Sequence, residues 1–261
     1  MDNFKKIYLI ALDVFRSSTS DRLMYGLLIL ALLFIATANV PFVNKGVMEF
    51  QDPVVSAKQL GFSAINIFIL LISIFVSLGT LQSFLNKDRL ILILSKPVKR
   101  WQFFLGIIFG LVFIMLINLI VMTLGLWLII FLQTRELNLN IFGGMMIMFP
   151  VAVIYISLVC FFYTFLPNAL SGILAFIFVI AGFGSSDITN LIEKSFSGLP
   201  KIGVKIGLLI LPKINGLWAL SLKMMKTLSL DINPAKILSH TIILIFCLNL
   251  VSILKFSFKK N

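Results

Sequence analysis

Side chains that could do covalent or metal chemistry are few in this sequence and lie far apart. There is a single histidine, His240, and two cysteines, Cys160 and Cys247, both inside apolar runs. One histidine cannot build a metal cluster, and the thiols are expected to be buried side chains. The apolar runs contain no pair of Asp, Ser–His pair or His–Glu set suited to hydrolysis, and no Walker A loop is present. We therefore expect no catalytic residue, metal or cofactor on this chain.

The segment 82–101 is the candidate for a docking function, because charged, apolar and helix-breaking residues follow one another closely. Its first nineteen residues read QSFLNKDRLILILSKPVKR. A residue before proline disfavours the helical region, so a helix here is expected to end before Pro97. A short helix between two membrane-anchored ends could dock in a groove of another protein. The alternative is an ordinary basic loop that only sets membrane topology. The candidate docking residues are Asp88, Arg89, Lys96, Pro97, Lys99 and Arg100.

The amino-acid composition predicts the class of protein that holds this segment in place. The chain has 261 residues, of which 60% are apolar and only 12% charged, with 26 Phe. A soluble fold could not cover that much apolar surface with so few charges, so an all-α polytopic membrane protein is predicted, as one transmembrane domain over 1–261. The net charge of +12 does not indicate nucleic acid, because the basic residues lie between apolar runs.

Six apolar runs are long enough to be transmembrane helices. They cover residues 24–40, 64–84, 103–132, 142–166, 169–184 and 237–254. The third run would be about 45 Å long as a helix, so it must tilt or begin on the cytoplasmic side of the bilayer.

Two segments outside the runs also have a predicted form. In 1–23, apolar residues recur at helical spacing, which predicts an amphipathic entry helix at the membrane interface; the alternative is an extension of the first span. In 185–236, short outer helices with a break at Pro212 are expected, and a seventh span over 202–222 is the alternative.

The positions of Lys and Arg predict the orientation. With six spans, one side holds twelve of them, and the two shorter loops of the other side hold Lys45, Lys58 and Arg135. Basic residues favour the cytoplasmic side, so both termini and the loop 82–101 are expected there.

The residues LSKPVKRWQFFLG at 94–106 resemble a signature of type-2 ATP-binding-cassette (ABC) permeases. The similarity is to the permease subunits of nitrous-oxide-reductase maturation and gliding-motility systems. The N-terminus is similar to the entry helix and first span of that family, and the entry-helix residues are Phe15, Arg16, Asp21 and Arg22.

The resemblance implies a half-transporter. Two permease chains, identical or paralogous, would bind two cytoplasmic ATPase subunits that carry ATP and Mg²⁺, and the segment 82–101 would couple the ATPases to the spans. The implied activity is export across a bacterial inner membrane, and the uncharged spans favour an amphipathic or lipid-like cargo. A non-transporting anchor that recruits an ATPase is the alternative, and a lipid-modifying enzyme is a third.

One further pattern concerns helix packing. Gly106 and Gly110 form a G-x-x-x-G pair at the start of the third span, which is a candidate helix interface because small residues let two backbones approach closely.

Overall fold

The computed structural model describes residues 3–19, 22–38, 53–86, 98–184, 211–225, 227 and 233–258. These residues are helical apart from short connections, and they contain no strand. The eight helices of the described residues are α1 Asn3–Thr19, α2 Arg22–Ala38, α3 Pro53–Phe84, α4 Arg100–Thr134, α5 Asn140–Phe165, α6 Asn168–Phe183, α7 Ile214–Met224 and α8 Pro234–Phe258.

Helix length and composition together indicate a membrane protein. Four helices, α3, α4, α5 and α8, are long and apolar enough to cross a bilayer. The pair α1 and α2 would supply a fifth span if its two helices, which meet at 67°, are counted as one. Helix α6 has 16 residues, or about 24 Å of rise, which is short of the roughly 30 Å hydrocarbon core. The described residues are thus helical apart from short connections, and they contain four to five candidate spans.

The helix bounds agree closely with the predicted apolar runs except at one place. Helix α3 begins at Pro53, eleven residues before the predicted second span. Lys58 lies in this extra length and made it look like a loop in the sequence. In the structure the Lys58 side chain is buried, and its Nζ donates a hydrogen bond to Asn138 Oδ1 at 2.9 Å. Because the cation has a polar partner inside the protein, the helix continues past it.

Helices α4 and α5 form the centre of the bundle. Helix α4 packs against α1, α2, α3, α5 and α8, and α5 packs against α3, α4, α6, α7 and α8. Two polar contacts connect α5 to its neighbours: Tyr155 donates to Asn66 of α3 at 3.0 Å, and Asn249 of α8 donates to Ser157 at 2.9 Å. These bonds fix the register of three long helices in an otherwise apolar core.

The segment before α8 is described only in part. The chain is non-helical from Leu211 to Lys213, and α7 begins at Ile214, two residues after Pro212. Helix α7 has 11 residues and buries Leu217 and Leu220 against its neighbours, chiefly α5. The apolar stretch 202–222 is therefore not one continuous helix, and the first of the two expected outer helices lies outside the described residues.

Candidate functional site

The structure describes some of the predicted site residues. Those that lie outside the described residues are Asp21, Asp88, Arg89, Lys96 and Pro97. Lys99 and Arg100 stand at the start of α4, Phe15 and Arg16 lie on α1, and Arg22 begins α2. The two glycines, Gly106 and Gly110, lie in the first three turns of α4. The structure therefore describes the segment 82–101 only at its two ends, residues 82–86 and 98–101, and the last two of these residues belong to α4.

The start of α4 is fixed by its own side chains. Lys99 is the residue before the helix and has an extended backbone, with φ −74° and ψ 146°. The Oε1 atom of Gln102 accepts a hydrogen bond from the Lys99 backbone N–H at 3.1 Å, and the backbone N–H groups of Gln102 and Phe103 donate to the Lys99 carbonyl. This is the backward half of a capping box, which ends the loop and begins the helix at one defined residue.

The same glutamine also holds α1. Gln102 is 1% exposed, and its Nε2 donates to the Asn3 side-chain oxygen at 2.9 Å. One buried amide therefore bonds to the end of the loop with its oxygen and to the first turn of α1 with its nitrogen. Sequence reasoning missed both residues. A polar residue three positions after a helix start was a usable signal for Gln102, but nothing pointed to Asn3, 99 residues away.

The glycine pair lies against α1. A Cβ atom on Gly106 would stand 2.6 Å from Cγ2 of Ile10 and 3.2 Å from the Ile7 carbonyl oxygen. A Cβ atom on Gly110 would stand 2.6 Å from Cγ1 of Val14 and 2.9 Å from the Ala11 carbonyl oxygen. The two helices approach so closely that only hydrogen atoms fit between their backbones at these positions, so the interface marked by G-x-x-x-G lies within this chain.

Two more contacts extend the packing of α1. The rings of Phe15 and Phe113 meet edge to face, with centroids 5.2 Å apart, and the hydroxyls of Ser18 and Thr80 are hydrogen-bonded at 2.9 Å. The contacting positions increase together along the two helices: Asn3 meets Gln102, Ile10 meets Gly106 and Val14 meets Gly110. Helix α1 therefore runs beside the first half of α4 in the same direction. The position of α1 at the membrane interface stays a prediction.

Other helix ends gather at the same end of the bundle. Phe104 of α4 stacks on Phe256 of α8, with centroids 5.1 Å apart. Lys255 places its Nζ 3.3 Å from the centre of the Phe165 ring at the end of α5. We call the contact formed by Asn3, Phe15, Gln102, Gly106 and Gly110 the α1–α4 junction. It joins the loop, the entry helix and the central helix, with the ends of α5 and α8 beside it.

The charged residues at the surface of the junction are chiefly basic: Lys5 and Lys99 are exposed, and Arg100 begins α4. Within the described parts of the chain, no three His, Cys, Asp or Glu side chains come together as metal ligands.

Comparison with known proteins identifies no family for this chain. A scan against protein-family models finds no match. A search of curated proteins finds none either. Any statement about function therefore rests on the sequence resemblance and on the geometry of the junction.

Proposed function

We propose that this chain is the permease subunit of an ABC-type exporter, driven by ATP hydrolysis in two separate cytoplasmic ATPase subunits. In this proposal the segment 82–101 docks on an ATPase, and a second permease chain completes the transport pathway. ATP and Mg²⁺ bind to the ATPases, and the cargo is amphipathic or lipid-like.

The double hydrogen bonding of Gln102 is the observation that carries the proposal. Its side chain bonds to Lys99, where the loop ends, and to Asn3, where α1 begins. A force applied to the loop would therefore reach α1 and α4 together. Helix α4 has 35 residues and about 52 Å of rise, so it would carry a movement at its start across the whole bilayer. A partner that binds ATP would bias such an element between two states.

The near absence of ionisable side chains from the predicted spans supports a source of energy outside this chain. In the predicted spans, His240 is the one ionisable side chain other than Cys and Tyr, and it stands near an end of its run. Carriers driven by ion gradients usually keep charged groups at mid-membrane to bind the coupling ion.

The proposal includes a topology. Six spans are formed by α2, α3, α4, α5, α6 and α8, and both termini are cytoplasmic. The membrane is a bacterial inner membrane. In this arrangement the start of α4 faces the cytoplasm, where the ATPases are, and Lys58 and Asn138 lie on the outer side.

Purification of the chain from its native membrane in mild detergent, with assay of the bound ATP hydrolysis, tests the proposal. The variant Arg100→Glu reverses a charge at the start of α4, and Arg135→Glu makes the same change just beyond its other end. A third variant, Pro97→Ala, changes the loop itself. We expect the wild type and Arg135→Glu to retain an ATP-hydrolysing partner, and Arg100→Glu and Pro97→Ala to lose it or its activity.

Two results would contradict the proposal. If no ATPase accompanies the wild type in detergents that preserve the complex, the segment 82–101 only sets topology. If an ATPase binds through the loop but its activity is indifferent to changes along α4, the chain is a membrane anchor rather than a permease.

A further inference from the structure

An open apolar groove of about 440 Å³ runs along α1 on the side next to α4. Aromatic and aliphatic side chains form it, and the Tyr8 hydroxyl is the one polar side-chain group among its lining residues. Its main lining residues are Phe4, Tyr8, Leu12, Phe15, Phe109 and Phe113. A groove of this size is within the range that holds a ligand of several hundred daltons.

We propose that this groove binds one acyl chain of an anionic phospholipid. Phe109 and Phe113 are 55% and 53% exposed, although they belong to the uncharged run of α4 that is long enough to cross the bilayer. Exposed phenylalanines in such a helix face hydrocarbon rather than water. The groove therefore opens toward the lipid.

Phe4 and Phe15 mark the two ends of the groove on α1, and eleven residues of helix rise about 16 Å. Because α1 packs beside α4 and both helices line the groove, an acyl chain laid along it would contact both of them.

The charges at one end of the groove indicate the headgroup. Lys5 lies one residue after Phe4, and Lys99 precedes α4; both side chains are exposed. The hydrogen bond between Asn3 and Gln102 brings these two positions to the same end. Paired exposed lysines beside an apolar groove attract a negatively charged phosphate and give no such advantage to a zwitterionic headgroup.

The test uses the full-length chain in mild detergent, loaded with equal amounts of phosphatidylglycerol and phosphatidylcholine that carry the same acyl chains. Native mass spectrometry then counts the retained lipids. We expect the wild type to retain phosphatidylglycerol preferentially. Phe109→Ser should lose most of the retained lipid, and Phe113→Ser should do the same. The double variant Lys5→Glu/Lys99→Glu should retain lipid without preference for phosphatidylglycerol.

Phe176→Ser in α6 is the matched control, because Phe176 is also an exposed phenylalanine of an apolar helix and lies away from the groove. It should retain lipid as the wild type does. Equal losses in Phe176→Ser and Phe109→Ser would show ordinary surface lipid and overturn the proposal. It would also fall if both lipids were retained equally by the wild type, or if Tyr8→Cys chains formed disulfide dimers in the membrane, because a second copy would then occupy the groove.

Discussion

The two ends of α4 are held in different ways. At its start, the α1–α4 junction uses a neutral amide and two glycines, while the nearby Lys5 and Lys99 stay exposed. At its far end the arrangement is reversed: Lys58 of α3 is only 6% exposed and reaches Asn138, in the connection that follows α4. A cation is thus buried at one end and solvent-facing at the other.

This difference concerns how each contact can respond to movement. A lysine reaches its partner through a long flexible side chain, so Lys58 can follow a small shift of the α4–α5 connection. The glycines of the junction leave α1 carbonyl oxygens so close that a Cβ would stand 2.9–3.2 Å away. Backbone atoms cannot rotate aside as a side chain does. The start of α4 and α1 should therefore move as one body, whereas the far end can adjust.

Replacement of Gly110 by leucine should break the junction and have the largest effect. The new side chain would collide with Val14 and with the Ala11 carbonyl oxygen. We expect a loss of about 3 kcal/mol in the free energy of unfolding, the upper part of the usual cost of overpacking. Unfolding by sodium dodecyl sulfate would measure it. Gly26→Leu is the control, since a Cβ at Gly26 meets no atom within 4 Å; equal losses in the two variants would refute close packing of α1.

Removal of the Lys58 side chain tests the far end. Lys58→Ala deletes a buried charged donor and leaves Asn138 Oδ1 without this partner. A loss of about 2 kcal/mol is expected, as for hydrogen bonds that involve a charged group. The same unfolding measurement applies, with Lys5→Ala as the control at an exposed lysine. A cost for Lys58→Ala no larger than that of the control would mean that the buried contact contributes nothing.

Gln102→Leu should cost less, although it removes two hydrogen bonds. Its partners, Asn3 and the Lys99 backbone N–H, belong to exposed residues where water can replace the amide. About 1–2 kcal/mol is expected. A double-mutant cycle with Asn3→Ala sharpens the test, because the two changes remove one shared bond. The double variant should cost less than the sum of the single variants, and strict additivity would argue against the bond.

The smallest effect should be stabilising. Arg135 ends α4 with φ 58°, in the left-handed region, and it is the one non-glycine residue with positive φ among those described. Glycine adopts this conformation without a Cβ clash, so Arg135→Gly should gain about 1 kcal/mol. Lys99→Gly is the control at the other end of α4, where φ is −74° and no gain is expected. Thermal denaturation of both variants would show whether the gain is specific to Arg135.

The long helices were predictable from hydropathy alone, but their partners were not. Helices α2 and α6 lie within about two residues of their predicted spans because uniformly apolar runs have clear ends. The start of α3 was missed because Lys58 resembles a loop residue until its contact with Asn138, 80 residues away, is known. Sequence spacing identified Gly106 and Gly110 as an interface without indicating that α1 fills it. The amide of Gln102 drew no notice, since its importance depends on Asn3.

The most direct test of the account is the ATP hydrolysis rate of the purified complex with Gln102→Leu and with Lys58→Ala. The lysine variant is expected to be at least as destabilised, so lower stability alone cannot explain a larger effect of the glutamine variant. The account predicts that Gln102→Leu retains the ATPase but lowers its rate several-fold, whereas Lys58→Ala keeps the wild-type rate. Equal rates in the two variants, or a wild type that brings no ATPase, would contradict the claim that the α1–α4 junction couples the loop to the membrane helices.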